Sequence, residues 1–158
     1  MIRSRKRFEE WLPACFDGEF GWDFLSCAFS GTKIMPMDFD AVVERNGHFL
    51  IMETKEKGKK IDTGQSITLT RLWKKDGFTI LHIEGKTAPS ISGVAVYSEW
   101  DETKEARVGD KEIIEKNAVD LAFIVRCWFC KSSGIAMPSR AEFERCLWID
   151  DYSEASNV

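Results

Sequence analysis

Asn46-Gly47 lies between two apolar runs, Phe39-Asp40-Ala41-Val42-Val43-Glu44-Arg45 and His48-Phe49-Leu50-Ile51-Met52-Glu53-Thr54-Lys55. A two-residue type I′ turn needs positive φ at both central positions, and asparagine followed by glycine tolerates that best. The segment therefore predicts a tight β-hairpin, and a tight hairpin fixes a register. Arg45 opposes His48, so counting back along both strands sets Asp40 opposite Glu53 and Asp38 opposite Lys55. Side chains alternate along a strand, so Asp38, Asp40, Glu53 and Lys55 project from one face, together with Phe49 and Ile51. Directly opposed Cβ atoms lie about 4.5–5.5 Å apart. Two carboxylates so placed repel each other unless something positive sits between them.

A divalent cation would answer that need, and hard oxygens favour Mg²⁺, with Mn²⁺ as a substitute. Asp40 and Glu53 would be its carboxylate ligands and the Thr54 carbonyl a third. Such a cation lowers the pKa of a bound water and polarises a phosphate. Lys55, on the same face, can orient that water and offset charge that builds up in the transition state.

The rest of the chain predicts alternating helices and strands. Residues 5–12 read as a short helix, with Phe8, Trp11 and Leu12 at helical spacing and Pro13 stopping it. Residues 56–62 read as a polar loop. A helix follows over 63–75, with Asp62 or Thr63 as its N-cap. Gln65, Leu69 and Leu72 share the buried stripe of that helix, so Gln65 needs a polar partner. Residues 78–84 and 90–97 read as strands, and 99–115 as a loop or solvated ribbon. Residues 119–130 read as a helix, from the spacing of Leu121, Ile124, Val125 and Trp128. Residues 139–147 read as a helix whose capping box is Ser139 with Glu142.

Length and charge narrow the class. A chain of 158 residues suits one domain with a real core, expected over 1–150, followed by a polar tail at 151–158. No apolar run is long enough to span a membrane, and no signal segment follows the basic N-terminus, so the expected location is the cytoplasm, that of the host if the chain is viral. The net charge of −4 argues against a general nucleic-acid coat protein. The basic residues are clustered, however. Lys57, Lys59 and Lys60 follow Lys55, and Arg71 lies near Lys74 and Lys75. These suit contacts to a phosphate backbone.

Pro36-Met37-Asp38-Phe39-Asp40, an apolar strand, and Phe49-Leu50-Ile51-Met52-Glu53-Thr54-Lys55 together resemble the PD-(D/E)XK nuclease pattern, and Gly64-Gln65 on the next helix resembles the glutamine of many members. The likeness covers residues 34–72, under a third of the chain. It implies an α/β fold with a restriction-endonuclease-like αβββαβ core, a mixed central sheet flanked by helices. It implies Mg²⁺-dependent hydrolysis of DNA phosphodiester bonds, with Asp40 and Glu53 as metal ligands, Lys55 as the catalytic lysine and Gln65 as an accessory catalytic residue. Either Asp38 or Asp40 could be the motif aspartate; Asp40 is preferred because it faces Glu53 and precedes Ala41-Val42-Val43. Asp38 would then pair with Lys55 or a second metal. In some members a glutamate of the first helix joins the site, which makes Glu9 and Glu10 accessory candidates. The small size suits a stand-alone nuclease of the sort phages and mobile elements carry, and double-strand cleavage would call for a homodimer.

Plainer readings compete. An E-x-K triplet alone is common on solvated strands, but Phe49 and Ile51 on the same face weaken that account. The fold could also serve as a non-catalytic module that binds nucleic acid or a protein. Cys127-Trp128-Phe129-Cys130 could be half a zinc site or a redox pair, but buried thiols fit its bulky middle better, and no zinc is expected. The five cysteines read as free thiols. His48, beside the turn, reads as exposed, and His82 as a satisfied polar residue within a strand. Most of the six tryptophans read as core.

Overall fold

The computed structural model describes residues 28–32, 36–101 and 104–147. The chain divides into two compact units, Met1–Asp38 and Phe39–Val158. The first helix expected over 5–12, with Glu9 and Glu10, and the tail at 151–158 lie outside the described residues.

The second unit is an α/β structure built on a five-stranded open sheet in the order β1-β2-β3-β4-β5. β1 (Ala41–Arg45) and β2 (His48–Lys55) form the expected hairpin, with Arg45 paired to His48 and Ala41 to Met52. Asn46 and Gly47 take φ of 53° and 80°, as a type I′ turn requires. After β2 the chain enters α1 (Thr63–Trp73) and returns as β3 (Phe78–Glu84), parallel to β2. A parallel return needs such a crossover, and the helix supplies it. At its foot, Gly77 has no room for a side chain, because a Cβ there would meet the Gly47 carbonyl oxygen at 2.8 Å. β4 (Gly93–Tyr97) and the short β5 (Ile114–Glu115) continue the sheet antiparallel. α2 (Ala118–Ser132) and α3 (Arg140–Leu147) follow.

Strand alternation sorts the core into two layers. Ile51, Ile80, Ala95 and Tyr97 pack with Leu69 and Trp73 of α1. Leu50, Leu81, Ile83 and Val94 point the other way and pack with Trp128 of α2. Burying side chains of that size stabilises by about 1.5–3 kcal/mol each. Trp73 is fully buried, and its indole N–H donates to the Ser98 carbonyl at 2.8 Å. Tyr97 meets it edge-on, and the Tyr97 hydroxyl accepts from the backbone N–H groups of Gly109 and Lys111, which ties the irregular charged segment to the sheet.

The helix ends follow local rules. Asn117 caps α2, accepting from the N–H groups of Val119 and Asp120, while Asp120 accepts from the Asn117 N–H. Ser139 and Glu142 form the expected box ahead of α3. Asp62 stands at the N-cap of α1 but makes no side-chain capping bond. Of the described tryptophans, Trp73 and Trp128 are core and Trp100 is 43% exposed. Cys130 is buried, Cys127 is partly buried and Cys146 is exposed, all as free thiols. No helix among the described residues is long and apolar enough to cross a membrane.

Candidate active site

The site grows out of the parallel pairing of β2 and β3. On the α1 side, Phe49, Ile51, Glu53 and Lys55 stand beside Phe78, Ile80, His82 and Glu84, rank by rank. The first two ranks are apolar: Phe49 stacks on Phe78 with ring centroids 5.1 Å apart, and Ile51 and Ile80 join the core. The third and fourth ranks are polar. They lie at the carboxyl ends of two parallel strands, beside the start of α1, where open α/β sheets hold ligands.

Glu53 is 2% exposed. Its Oε1 accepts from Gln65 Nε2 at 2.9 Å and lies 2.7 Å from Lys55 Nζ. Its Oε2 is buried and has no partner, and neither has the buried Oε1 of Gln65. Gln65 reaches Glu53 because it sits in the first turn of α1, on the stripe that includes Leu69. The buried stripe and the partner that a polar residue there requires are therefore both present.

Asp40 continues the register one residue beyond the Ala41–Met52 pair, but its carboxylate turns to Thr54. It lies just before β1, and its Oδ2 accepts from both the N–H and the hydroxyl of Thr54, each at 2.6 Å. Its carboxylate thus clamps the residue next to Glu53. The positive charge at Glu53 is the Lys55 ammonium, two residues along the same strand. Lys55 thus pairs with Glu53. Asp38 itself is exposed.

His82 corrects the sequence reading most directly. It is 3% exposed, and neither ring nitrogen has a hydrogen-bond partner, so it is not a satisfied core histidine. Burial pushes its pKa below the ordinary value; Glu84 opposes that shift and Lys55 adds to it. The ring is therefore neutral near pH 7. His48 is half-buried and pairs with Glu99 at 3.2 Å, where exposure was expected.

An open cleft beside these ranks is lined by Lys55, Lys59, Lys60 and Lys86, with Glu56 and Asp62. Lys86 pairs with Glu56, and Glu84 Oε1 accepts from the Gly58 N–H, which pins the loop. Lys57 lies on the exposed turn of that loop. Arg71 is in the last turn of α1, about 9 Å along the axis from Gln65 at 1.5 Å per residue, and is not brought to the cleft. Glu84 and Lys86 had escaped the sequence reading. The hairpin register is local, whereas the β2–β3 pairing that brings in β3 is not.

Among the described residues no three His, Cys, Asp or Glu side chains stand close enough to share an ion. A cation here would therefore rest on Asp40, Glu53 and the Thr54 carbonyl, with water completing the shell. That donor set suits Mg²⁺, which commonly takes one or two carboxylates, and Glu53 Oε2 is the buried oxygen that lacks a counterpart. No protein-family model, no curated protein and no solved structure matches the chain.

Proposed function

We propose that this protein is a Mg²⁺-dependent deoxyribonuclease of the PD-(D/E)XK type. The observation that carries the reading is Glu53: a buried carboxylate held on one oxygen by Lys55 and Gln65, with its other oxygen unpartnered. A buried charge costs several kcal/mol unless it is fully paired. A merely structural residue has no reason to carry that cost. The hairpin, crossover helix and parallel strand from Ala41 to Glu84 are compatible with the ββαβ portion of an αβββαβ core.

A divalent cation bound by Asp40, Glu53 and the Thr54 carbonyl would lower the pKa of a bound water and polarise the scissile phosphate. The protein's own groups do the rest. Asp40 fixes the Thr54 peptide through its N–H and hydroxyl. Gln65 fixes the Glu53 carboxylate. Lys55, 21% exposed, reaches from Glu53 toward the cleft, where its ammonium orients the attacking water and offsets charge on the phosphate. Lys59 and Lys60 line the approach and suit the DNA backbone, with Lys57 beside them and Arg71 as an outlying contact. Cleavage of both strands of a duplex would call for a homodimer.

The test is a cleavage panel of linear, circular, single-stranded and branched DNA with Mg²⁺, Mn²⁺ or EDTA. Cleavage that needs the metal and disappears in Glu53→Gln supports the reading; metal-independent cleavage, or none on any substrate, removes it. A second reading, a non-catalytic module for nucleic acid or protein, draws on the Lys55 ammonium that already neutralises Glu53. It requires that neither Mg²⁺ nor Mn²⁺ bind at Glu53.

A further inference from the structure

We propose that His82 is a positioning residue of the Glu53 site: its imidazole, with Gln65 Oε1 and Glu53 Oε2, holds one buried water that fixes the unpartnered oxygen of Glu53. The inference rests on the function proposed above and adds a residue that neither the hairpin nor the sequence pattern includes.

The β2–β3 register pairs His82 with Glu53. Partners in a parallel sheet lie about 4.8 Å apart and share a face. His82 and Glu53 are therefore immediate neighbours on the α1 side. Gln65 Nε2 touches Glu53 Oε1, so the other end of the same amide lies close by. Each of the three residues carries buried polar atoms with no partner: Glu53 Oε2, Gln65 Oε1 and both nitrogens of His82. Such atoms are rare in native interiors, and a cluster of them marks a place for water or ligand.

Hydrogen-bond stoichiometry selects the occupant. Glu53 Oε2 and Gln65 Oε1 are acceptors only. The imidazole has an N–H to donate. A single water donates twice, to the two oxygens, and accepts once, from His82. Direct ligation of a cation by His82 together with Asp40 and Glu53 does not fit, because no three such side chains converge. His82 therefore acts through the water, one step removed from the ion. Outer partners of this kind orient a ligating group, and their loss lowers metal affinity about 10–100-fold.

The experiment titrates Mn²⁺ alone into wild type, His82→Leu, His82→Asn and Glu53→Gln, following free Mn²⁺ by electron paramagnetic resonance, with thermal midpoints measured in parallel. Leucine removes the unpartnered nitrogens from the interior, so a His82→Leu midpoint at or above wild type shows that the fold is intact. The expected result is saturable binding to wild type that Glu53→Gln abolishes, weakened about 10–100-fold in His82→Leu. His82→Asn, which keeps a donor and an acceptor, should recover part of the loss. Should His82→Leu bind Mn²⁺ as tightly as wild type, the role of His82 is overturned while the metal site stands. Wild type that binds no Mn²⁺ overturns both. If His82→Leu does not fold, His82→Asn decides alone: a folded variant that still binds Mn²⁺ but more weakly than wild type supports the role, and one with undiminished affinity overturns it.

Discussion

β2 and β3 run side by side under one helix, yet their first and last halves are built on opposite terms. At the start, Phe49 lies on Phe78 and Ile51 beside Ile80, apolar on apolar, with Trp73 closing over them. Toward the end, Glu53 lies beside His82 and Lys55 beside Glu84. The backbone pairing is continuous, so the ladder hydrogen bonds do not distinguish the halves. Side chains do. The apolar half gains dispersion and hydrophobic burial, and on the α1 face its ranks, Phe49 with Phe78 and Ile51 with Ile80, carry no polar atom to satisfy. The polar half buries a carboxylate, an amide and an imidazole and leaves atoms of each unpartnered. Three neighbouring residues that together break the rule of polar satisfaction point to their place as functional.

The contrast can be broken from either side. Trp73→Ala removes the lid of the apolar half and should destabilise by about 3–5 kcal/mol, read as a lower urea midpoint; a loss under about 1 kcal/mol would mean that the apolar half does not hold the fold. Glu53→Gln should leave the urea midpoint within about 1 kcal/mol of wild type, because it removes a buried charge whose partner Lys55 can turn to solvent. Cleavage should fall at least about 10³-fold, worth about 4 kcal/mol of barrier. Measurable turnover near wild type would take Glu53 out of the mechanism. The double change Glu53→Leu with Lys55→Met makes the polar half resemble the apolar one. Replacing a buried ion pair by apolar groups of similar volume is often neutral or stabilising by about 1–4 kcal/mol. The double variant should thus match or exceed wild type in stability and cut nothing. A double variant that unfolds would show that the ion pair holds the structure, and the functional account of its cost would fail.

The same division explains what could be read in advance. Asn46-Gly47 set the hairpin register, and Arg45 does oppose His48. Helix α1, strands β3 and β4, and the Ser139–Glu142 box follow from periodicity and capping, which are local. Gln65 was legible because a polar residue on a buried stripe must have a partner, and it has Glu53. The Asp40 side chain was not legible in detail: register placed its backbone, but the Thr54 N–H and hydroxyl drew its carboxylate aside. His82 was misread for a deeper reason. Its neighbours come from β2 and β4, and no local pattern tells which strands a given strand will join or whether they run parallel. Lys86 was missed likewise, because the β2–β3 pairing and the loop after β3 bring it to Lys55.

The smallest expected effect tests whether the other face of the sheet is independent of the site. α2 backs Leu50, Leu81 and Val94 and contributes no residue to the Glu53 ranks. Its start depends on Asn117 and Asp120. Asn117→Ala should cost about 1 kcal/mol, as loss of an N-cap usually does, and leave cleavage per folded molecule unchanged. Asp120 adds a dependence on acid. The Asn117 backbone N–H, then Arg140 at 2.9 Å, hold its carboxyl below the usual range. A carboxyl whose folded pKa is depressed stabilises above its unfolded pKa, and that stabilisation is lost as pH falls through the folded value. Asp120→Ala should therefore lower the urea midpoint slightly at neutral pH, and the gap to wild type should close in acid, below about pH 3.8. A gap that persists into acid would mean that Asp120 acts through packing. A change in cleavage by the folded variant at neutral pH would mean that the two faces are coupled, and the comparison of the two strand halves would have to include α2.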